Sequence, residues 1–166
     1  MRVPTDTRYT TYKYPNEVGS YRRAFTVPAD WKGRQVFINF DGVDSFFYLW
    51  INGKYVGFSK NSRNTAQFNI TPFLNEKGEN IVAVEVYRSS DASFLESQDM
   101  FRLPGIIRST YLTSTPELEI RDLAVRTRTL TANQATLTVD AEVRNMGKKA
   151  AKGYKMEYSV FPVELY

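Results

Sequence analysis

The dipeptide Asn52-Gly53 limits the fold of this chain more than any other feature, because runs rich in aromatic and β-branched residues flank it on both sides. A type I′ turn between antiparallel strands needs positive φ at both central positions, and Asn-Gly accommodates both. The sequence therefore predicts a tight β-hairpin in which Ile51 pairs with Lys54.

Continuing this register assigns the hairpin side chains to two surfaces. Trp50 and Tyr55 are expected on one of them. The other, which we expect to face the core, carries two cross-strand pairs: Leu49 with Val56, and Phe47 with Phe58.

A period of two also dominates the surrounding sequence. Residues 80–88 alternate cleanly and place Val82, Val84 and Val86 on one side of a half-buried strand. Further strands are predicted at residues 21–27, 35–40, 66–70 and 106–113, with a helical turn or loop at 28–33. Because no convincing amphipathic helix accompanies these short strands, we expect an all-β fold, a β-sandwich of jelly-roll type.

The pattern changes near Pro116, which divides the chain into predicted domains at residues 1–115 and 116–166. The second domain reads as three strands, at 118–129, 135–144 and 154–161. An immunoglobulin-like sandwich needs about seven strands and about 100 residues. We therefore expect the apolar face of the second domain to be ragged, packed on the first domain or completed by another chain.

Charge argues against nucleic acid as a partner. The net charge of +4 is spread thinly, with 14 basic against 11 acidic residues in 1–115 and 8 against 7 in 116–166. The adjacent basic pairs Arg22-Arg23 and Lys148-Lys149 do not form the clustered stripe that displaces counterions from a polyanion.

Two missing residue types exclude several kinds of site. Without cysteine the chain forms no disulfide, thiolate zinc site or cysteine nucleophile, and without histidine it forms no Ser-His-Asp triad and no imidazole metal site. No membrane span and no signal peptide are visible, which leaves the compartment open.

The polar segment 97–108 is the strongest candidate for a functional loop, because it places charged side chains and a Pro-Gly turn between β-rich segments. Asp91, Glu96 and Asp99 lack the spacing of a calcium loop, so we do not expect a metal site from these three alone. Arg102 and Arg108 could contact substrate oxygens, although bracing of loop carbonyls or pairing with nearby carboxylates is the favoured interpretation. From spacing alone, a role of Asp99 in capping or bracing its own loop is favoured over a role in binding a ligand.

Taken together, these motifs resemble the β-galactosidases of glycoside hydrolase family 2. Residues 17–115 resemble their N-terminal sugar-binding jelly roll, and residues 116–166 the start of the immunoglobulin-like domain that follows it. The resemblance rests on four ordered blocks: residues 19–23, residues 40–45 with Trp50 and Asn52-Gly53, residues 61–63, and residues 98–108.

The resemblance implies a retaining hydrolase of terminal β-galactosides whose two catalytic Glu residues lie on a downstream (β/α)8 barrel. It implies that this chain contains no catalytic residue and is inactive alone, and that the Mg²⁺ ligands lie largely on the barrel. Asp99 matches the family's acidic residue that binds a galactose hydroxyl and a monovalent cation, usually sodium. In this family, Trp50 and Tyr55 could stack on sugar, although burial against a neighbouring domain is favoured.

Other functions remain open at this stage. The same architecture occurs in β-glucuronidases and β-mannosidases, and a free-standing carbohydrate-binding module or a purely structural sandwich would also fit an all-β chain without catalytic groups. The expected partners are a β-galactoside and the downstream barrel, with no nucleic acid and no membrane. A homo-oligomer is one of the forms that the resemblance allows.

Overall fold

Two β-rich units make up the chain, and the boundary between them lies between Thr115 and Pro116. A computed structural model describes residues 16–75, 77–96, 98–99, 101 and 103–161, apart from the side chain of Phe94. Within that part of the chain, no helix has the length and apolar character needed to cross a membrane.

The first unit contains two main antiparallel sheets and one short strand pair. The four-stranded sheet has the order β1 (Val18–Phe25), β7 (Asn80–Tyr87), β4 (Phe46–Ile51), β5 (Lys54–Ser59). The three-stranded sheet has the order β6 (Ala66–Asn69), β2 (Gln35–Phe40), β9 (Thr110–Thr115). The short pair joins β3 (Val43–Asp44) to β8 (Gly105–Ile106).

Apolar side chains from both main sheets form one core, which confirms the predicted all-β fold. Along β4 the burial alternates, as expected for a strand with one face on the core. The largest side chains in the core are almost fully buried and come from both sheets and from the residue that follows β6: Phe40, Phe47, Leu49, Ile51 and Ile70. Burying an apolar side chain of this size stabilises a fold by about 1.5–3 kcal/mol.

The Asn52-Gly53 hairpin forms as predicted at its turn, with φ of 52° at Asn52 and 75° at Gly53 and with Ile51 paired to Lys54. Beyond the turn the predicted register is wrong. A bulge between Trp50 and Leu49 sets Leu49 opposite Gly57 and Phe47 opposite Ser59, so the expected pairs with Val56 and Phe58 do not form.

Next to the bulge, Gly57 lies under an aromatic ring of the second sheet. A Cβ atom on Gly57 would lie 2.9 Å from Cε1 of Phe68, so the strand lacks a side chain where that ring approaches. The extra residue, Val56, packs against the core, whereas Phe58 turns to the outer face and is 51% exposed. The prediction of Phe47 and Leu49 as core residues is confirmed.

Three other strand predictions differ from the structure by more than one residue. The strand predicted at 21–27 is β1, which begins three residues earlier and ends two residues earlier, at Val18–Phe25. The strand predicted at 106–113 is divided into β8 and β9, because Gly42 O accepts from Ile107 N (3.1 Å) and Arg108 N (3.3 Å) where the chain changes partner. Residues 154–161 form no strand, since no described segment pairs with their backbone.

Helical structure in the first unit is short. The segment 28–33 contains the expected single turn, a 3-10 helix at Ala29–Trp31, and a second 3-10 turn spans Thr71–Phe73. The five-residue helix α1 (Asp91–Leu95) was not predicted, although Ser90 and Ser93 form a capping box at its start.

The second unit is a two-stranded antiparallel ribbon of β10 (Leu118–Leu130) and β11 (Ala135–Asn145). Cross-strand partners on one face are apolar, among them Ile120 with Val143 and Val125 with Val139. Ile120, Val125 and Val143 are each more than half exposed. How this face is completed stays a prediction.

Candidate functional site

Four loops of the first unit meet beside the short pair of β3 and β8: residues 41–42, residues 60–65, residues 107–109 and the loop that begins at Glu96. This pairing places Val43 opposite Ile106 and Asp44 opposite Gly105, so the segment 40–45 lies against the segment that follows the candidate loop. Gly105 has φ of 129°, a conformation that favours glycine. The structure therefore brings together two sequence blocks that are about sixty residues apart.

Close contacts of Gly42 bring a third block into the same place. A Cβ atom on this residue would lie 3.0 Å from Cδ of Arg108 and 3.2 Å from the backbone oxygen of Ser62. The absent side chain thus leaves room for the arginine stem and the loop 61–63 to approach the backbone at this position.

Arg108 braces the loop 61–63. Its guanidinium Nη1 donates to the backbone oxygen of Arg63 at 2.9 Å, which is the contact with a loop carbonyl that the sequence favoured. The Arg63 guanidinium in turn lies 3.8 Å from the carboxylate of Asp44, whose side chain is 13% exposed. Charged side chains therefore link the loop 61–63 to Arg108 on one side and to Asp44 of β3 on the other.

A carboxylate at the end of helix α1 makes the closest contacts with this loop. Glu96 accepts from Ser62 N at 3.1 Å and from Ser62 Oγ at 2.5 Å, and Ser62 is only 2% exposed. The start of the helix has a contact of its own, because Lys60 Nζ donates to the Asp91 carboxylate at 2.9 Å. That hydrogen bond is the main reason why the pKa of Asp91 lies below its ordinary value.

A second acidic residue accepts two hydrogen bonds at the end of β2. The carboxylate of Asp41 accepts from the hydroxyl of Tyr111 at 3.2 Å and from Oγ1 of Thr65 at 3.0 Å. The hydrogen bond from Tyr111 raises the pKa of this phenol, because ionisation would place two negative charges side by side.

Asp99 lies three residues after Glu96 and its side chain is exposed. The backbone N–H of the preceding residue, Gln98, donates to the backbone oxygen of Glu96 at 3.0 Å. The exposure leaves the carboxylate accessible to a ligand, while its predicted role is not tested by this geometry. Arg102 lies outside the described residues.

The three carboxylates singled out in the sequence do not form a common site. Asp91 contacts Lys60, Glu96 contacts Ser62, and Asp99 is exposed. Within the described ranges, no group of three or more His, Cys, Asp or Glu side chains is arranged to hold a metal ion. A single exposed carboxylate still fits the role of one ligand in a shared monovalent-cation site, since hard cations prefer oxygen.

Trp50 and Tyr55 lie where the hairpin register placed them, as a cross-strand pair on the outer face of the four-stranded sheet. Their ring centroids are 6.0 Å apart in an edge arrangement, and Tyr55 is 50% exposed. Beside Trp50 is a groove of about 310 Å³ that Arg22 and Glu85 also line. Sugar stacking and burial against another domain both stay predictions for this face.

The larger opening of the first unit lies between its two sheets rather than at the four loops. It has a volume of about 600 Å³ and is lined by apolar residues of both sheets, among them Ile38, Phe40 and Val84. Strands β1 and β9, which border it, are the edge strands of their sheets. This opening is an uncovered side of the sandwich core.

The fold and the clustered loops define a β-sandwich of the kind that accompanies sugar-cleaving enzymes. A sequence model of the glycosyl hydrolases family 2 sugar binding domain matches residues 2–116 of the 166. The chain belongs to this family.

The named relatives agree with that assignment. The chain is 51% identical over 132 residues to the β-galactosidase of Priestia megaterium, and the match covers 78% of this chain and 13% of the relative. It is 46% identical over 112 residues to the β-galactosidase of Clostridium acetobutylicum, and this match covers 68% of this chain and 12% of the relative. The chain therefore spans about one eighth of the length of these relatives.

Solved structures give the same fold. The β-glucuronidase of Bacteroides uniformis superimposes with a TM-score of 0.70 at 33% identity, covering 82% of this chain and 17% of that one. A β-glycosidase of Bacteroides vulgatus superimposes with a TM-score of 0.64 at 30% identity, covering the same shares.

Proposed function

We propose that this chain is the sugar-binding scaffold of a retaining β-galactosidase that hydrolyses terminal β-galactosides. In this proposal the sandwich braces a downstream catalytic barrel and contributes one carboxylate, Asp99, to the sugar site. The observation that carries the proposal is the 51% identity to a β-galactosidase over 132 residues, together with the convergence beside β3 and β8 of three of the family's sequence blocks, at 40–45, 61–63 and 98–108.

Retaining hydrolysis needs two carboxyl groups about 5 Å apart, one to trap the sugar and one to protonate the leaving oxygen. None of the acidic contacts described above has the features of such a pair. Glu96 and Asp41 accept hydrogen bonds from neutral groups, and Asp91 and Asp44 face cationic side chains. The proposal therefore assigns the bond-breaking residues to polypeptide beyond this chain, and the chain alone is expected to be inactive.

Asp99 suits the proposed role because an ionised carboxylate only accepts hydrogen bonds. It can accept from sugar hydroxyl groups and contact a sodium ion with the same pair of oxygens. A sodium ion held there would offer the sugar hydroxyl oxygens a fixed positive charge. Magnesium is proposed only for the complete enzyme, with ligands on the barrel.

A second candidate function is β-glucuronide hydrolysis, because a structural neighbour at 33% identity is a β-glucuronidase. The greater identity to β-galactosidases favours the galactoside. The remaining alternatives are β-mannoside hydrolysis and glycan binding without cleavage. The first would cleave a different sugar from the proposed galactoside, and the second would cleave none.

The complete product of the gene that encodes this chain provides the test. It should hydrolyse a nitrophenyl β-galactoside at least about 100-fold faster than the β-glucuronide and the β-mannoside, because each wrongly placed polar group costs about 1–3 kcal/mol. A preference for the glucuronide, or a reading frame that stops at Tyr166, would contradict the proposal. Calorimetric titration of the 166-residue chain with millimolar lactose should give no heat, whereas a free-standing binding module would give a saturable signal.

A further inference from the structure

The loop that carries Asp99 is held at both of its ends by contacts with the rest of the first unit. At the far end, Gly105 enters the antiparallel pair of β8 with β3, so backbone hydrogen bonds hold it. At the near end, the last contact before the loop is made by a side chain, because the Glu96 carboxylate accepts two hydrogen bonds from Ser62. In the sequence, residues 97–104 lie between these two attachments.

The near attachment is rigid on both sides. Ser62 is 2% exposed, and its backbone oxygen lies against Gly42, next to the Arg108 stem. Glu96 is the C-cap residue of helix α1, and its own N–H donates to Ala92 O at 3.1 Å. Two hydrogen bonds to a buried residue, at 3.1 and 2.5 Å, fix the position of the Glu96 side chain.

Asp99 follows Glu96 by only three residues. Three residues extend at most about 10 Å, so the attachment at Glu96 restricts the space that the Asp99 carboxylate can reach. Releasing the Glu96 carboxylate would leave the near end of the loop held only through helix α1, whose contact with Lys60 is made five residues earlier by Asp91, and the Asp99 carboxylate would then sample more positions. A displacement of about 1 Å is enough to weaken a binding constellation severely.

We propose that Glu96 is a positioning residue for Asp99, acting through its two hydrogen bonds to the buried Ser62. This inference rests on the proposed function, because it concerns the same sugar and cation site. It assigns Glu96 no contact with substrate or cation. Geometry, and not the negative charge of Glu96, is what the site requires.

Three variants of the complete gene product test whether Glu96 acts through its hydrogen bonds to Ser62 or through its negative charge. Glu96→Ala removes both acceptors. Glu96→Gln keeps the shape, since its amide oxygen can accept from Ser62 N while its amide nitrogen donates to Ser62 Oγ. Asp91→Ala is the matched control, because it removes an exposed carboxylate of the same helix that contacts Lys60 instead.

Two measurements are made on each variant. The first is the sodium concentration that gives half of the maximal β-galactosidase activation. The second is deuterium uptake by the peptide 97–104 without sodium or substrate, which needs no activity. We expect Glu96→Ala to raise the sodium requirement by about 10- to 100-fold, as loss of a supporting contact to a metal ligand does, and to speed deuterium uptake. Glu96→Gln and Asp91→Ala should match the parent enzyme in both.

The results that would overturn the positioning role of Glu96 differ from those that would overturn the proposed function. Parent-like sodium dependence and uptake in Glu96→Ala would overturn the positioning role alone. A Glu96→Gln variant as impaired as Glu96→Ala would overturn it as well, because the charge would then be the required feature. An inactive or sodium-insensitive parent enzyme would overturn the proposed function, while deuterium uptake would still test whether Glu96 holds the loop.

Discussion

The side-chain amide of Asn52 donates to Oδ1 of Asn80 at 2.8 Å and so joins the hairpin turn to the first residue of β7. The same Asn52 accepts from the N–H of Ile81 at 2.9 Å, and Oδ1 of Asn80 also accepts from Asn75 N at 2.8 Å. Asn52 thus supplies both the positive φ of the turn and two links to the next strand in the sheet.

Replacing Asn80 by alanine should lower the free energy of unfolding of the first unit by about 2–3 kcal/mol. Asn80 is 1% exposed, and the variant removes the acceptor of the Asn75 N–H and one of the two acceptors of the Asn52 amide, which keeps its bond to Phe73 O, at a part-buried position. Both tryptophans, Trp31 and Trp50, lie in this unit, and urea unfolding followed by their fluorescence measures the change.

Asn64→Ala is the control for that experiment, since Asn64 is exposed. It should change the free energy of unfolding by less than about 0.5 kcal/mol. Equal effects of the two substitutions would contradict the structural role of Asn80.

Gly57→Ala should destabilise the first unit by about 1–3 kcal/mol, because the new methyl group would lie 2.9 Å from the Phe68 ring. The ring also packs against Phe40 and Phe47, with centroids 6.5 and 6.0 Å away, so it cannot withdraw freely. The same fluorescence measurement reports the loss.

A second substitution tests the cause of that loss. If the clash is with the ring, combining Gly57→Ala with Phe68→Leu should cost less than the sum of the two single changes. Strict additivity would show that Phe68 is not the reason why a glycine occupies position 57, next to the bulge.

The contact between Lys60 and Asp91 should be visible in a pH titration. In the parent chain the pKa of Asp91 lies below its ordinary value, first because of the hydrogen bond from Lys60 and then because of that from the Ala92 N–H. Lys60→Gln should therefore raise this pKa, as measured by carboxyl ¹³C NMR. An equal response to Lys54→Gln, at an exposed position in the hairpin, would contradict this assignment.

The sign of the linked stability effect follows from the direction of the shift. A carboxyl whose pKa is lower in the folded chain than in the unfolded chain contributes stability above the unfolded pKa. That contribution is lost as the pH falls through the folded value. Since both side chains are largely exposed, at 45% and 75%, we expect the effect on unfolding to be small and to decrease with salt.

Alternation of apolar residues was sufficient to predict most strands of the first unit. The strand Gln35–Phe40 has the predicted bounds, and β7 ends one residue before the predicted end at 88. The strong local signal at Asn52-Gly53 fixed the turn, because the φ requirement acts on those two residues alone.

Features that depend on contacts between distant residues could not be predicted in this way. The space available at Gly57, beside the bulge, depends on a ring from the other sheet, and the attachment of Glu96 depends on a serine that precedes it by 34 residues. The helix Asp91–Leu95 is too short to show an amphipathic period, although its capping serines are a local signal that was available.

The exposed Asp99 carries the central claim, namely that the sandwich contributes one carboxylate to a site whose catalytic residues lie elsewhere. Its most direct test is Asp99→Asn in the complete gene product, assayed for β-galactoside hydrolysis across a range of sodium concentrations, with Asp91→Asn as the matched control. We predict that kcat/KM falls by about 10- to 100-fold and that activation by sodium disappears in the Asp99 variant alone. Unchanged turnover and unchanged sodium dependence in Asp99→Asn would contradict the account.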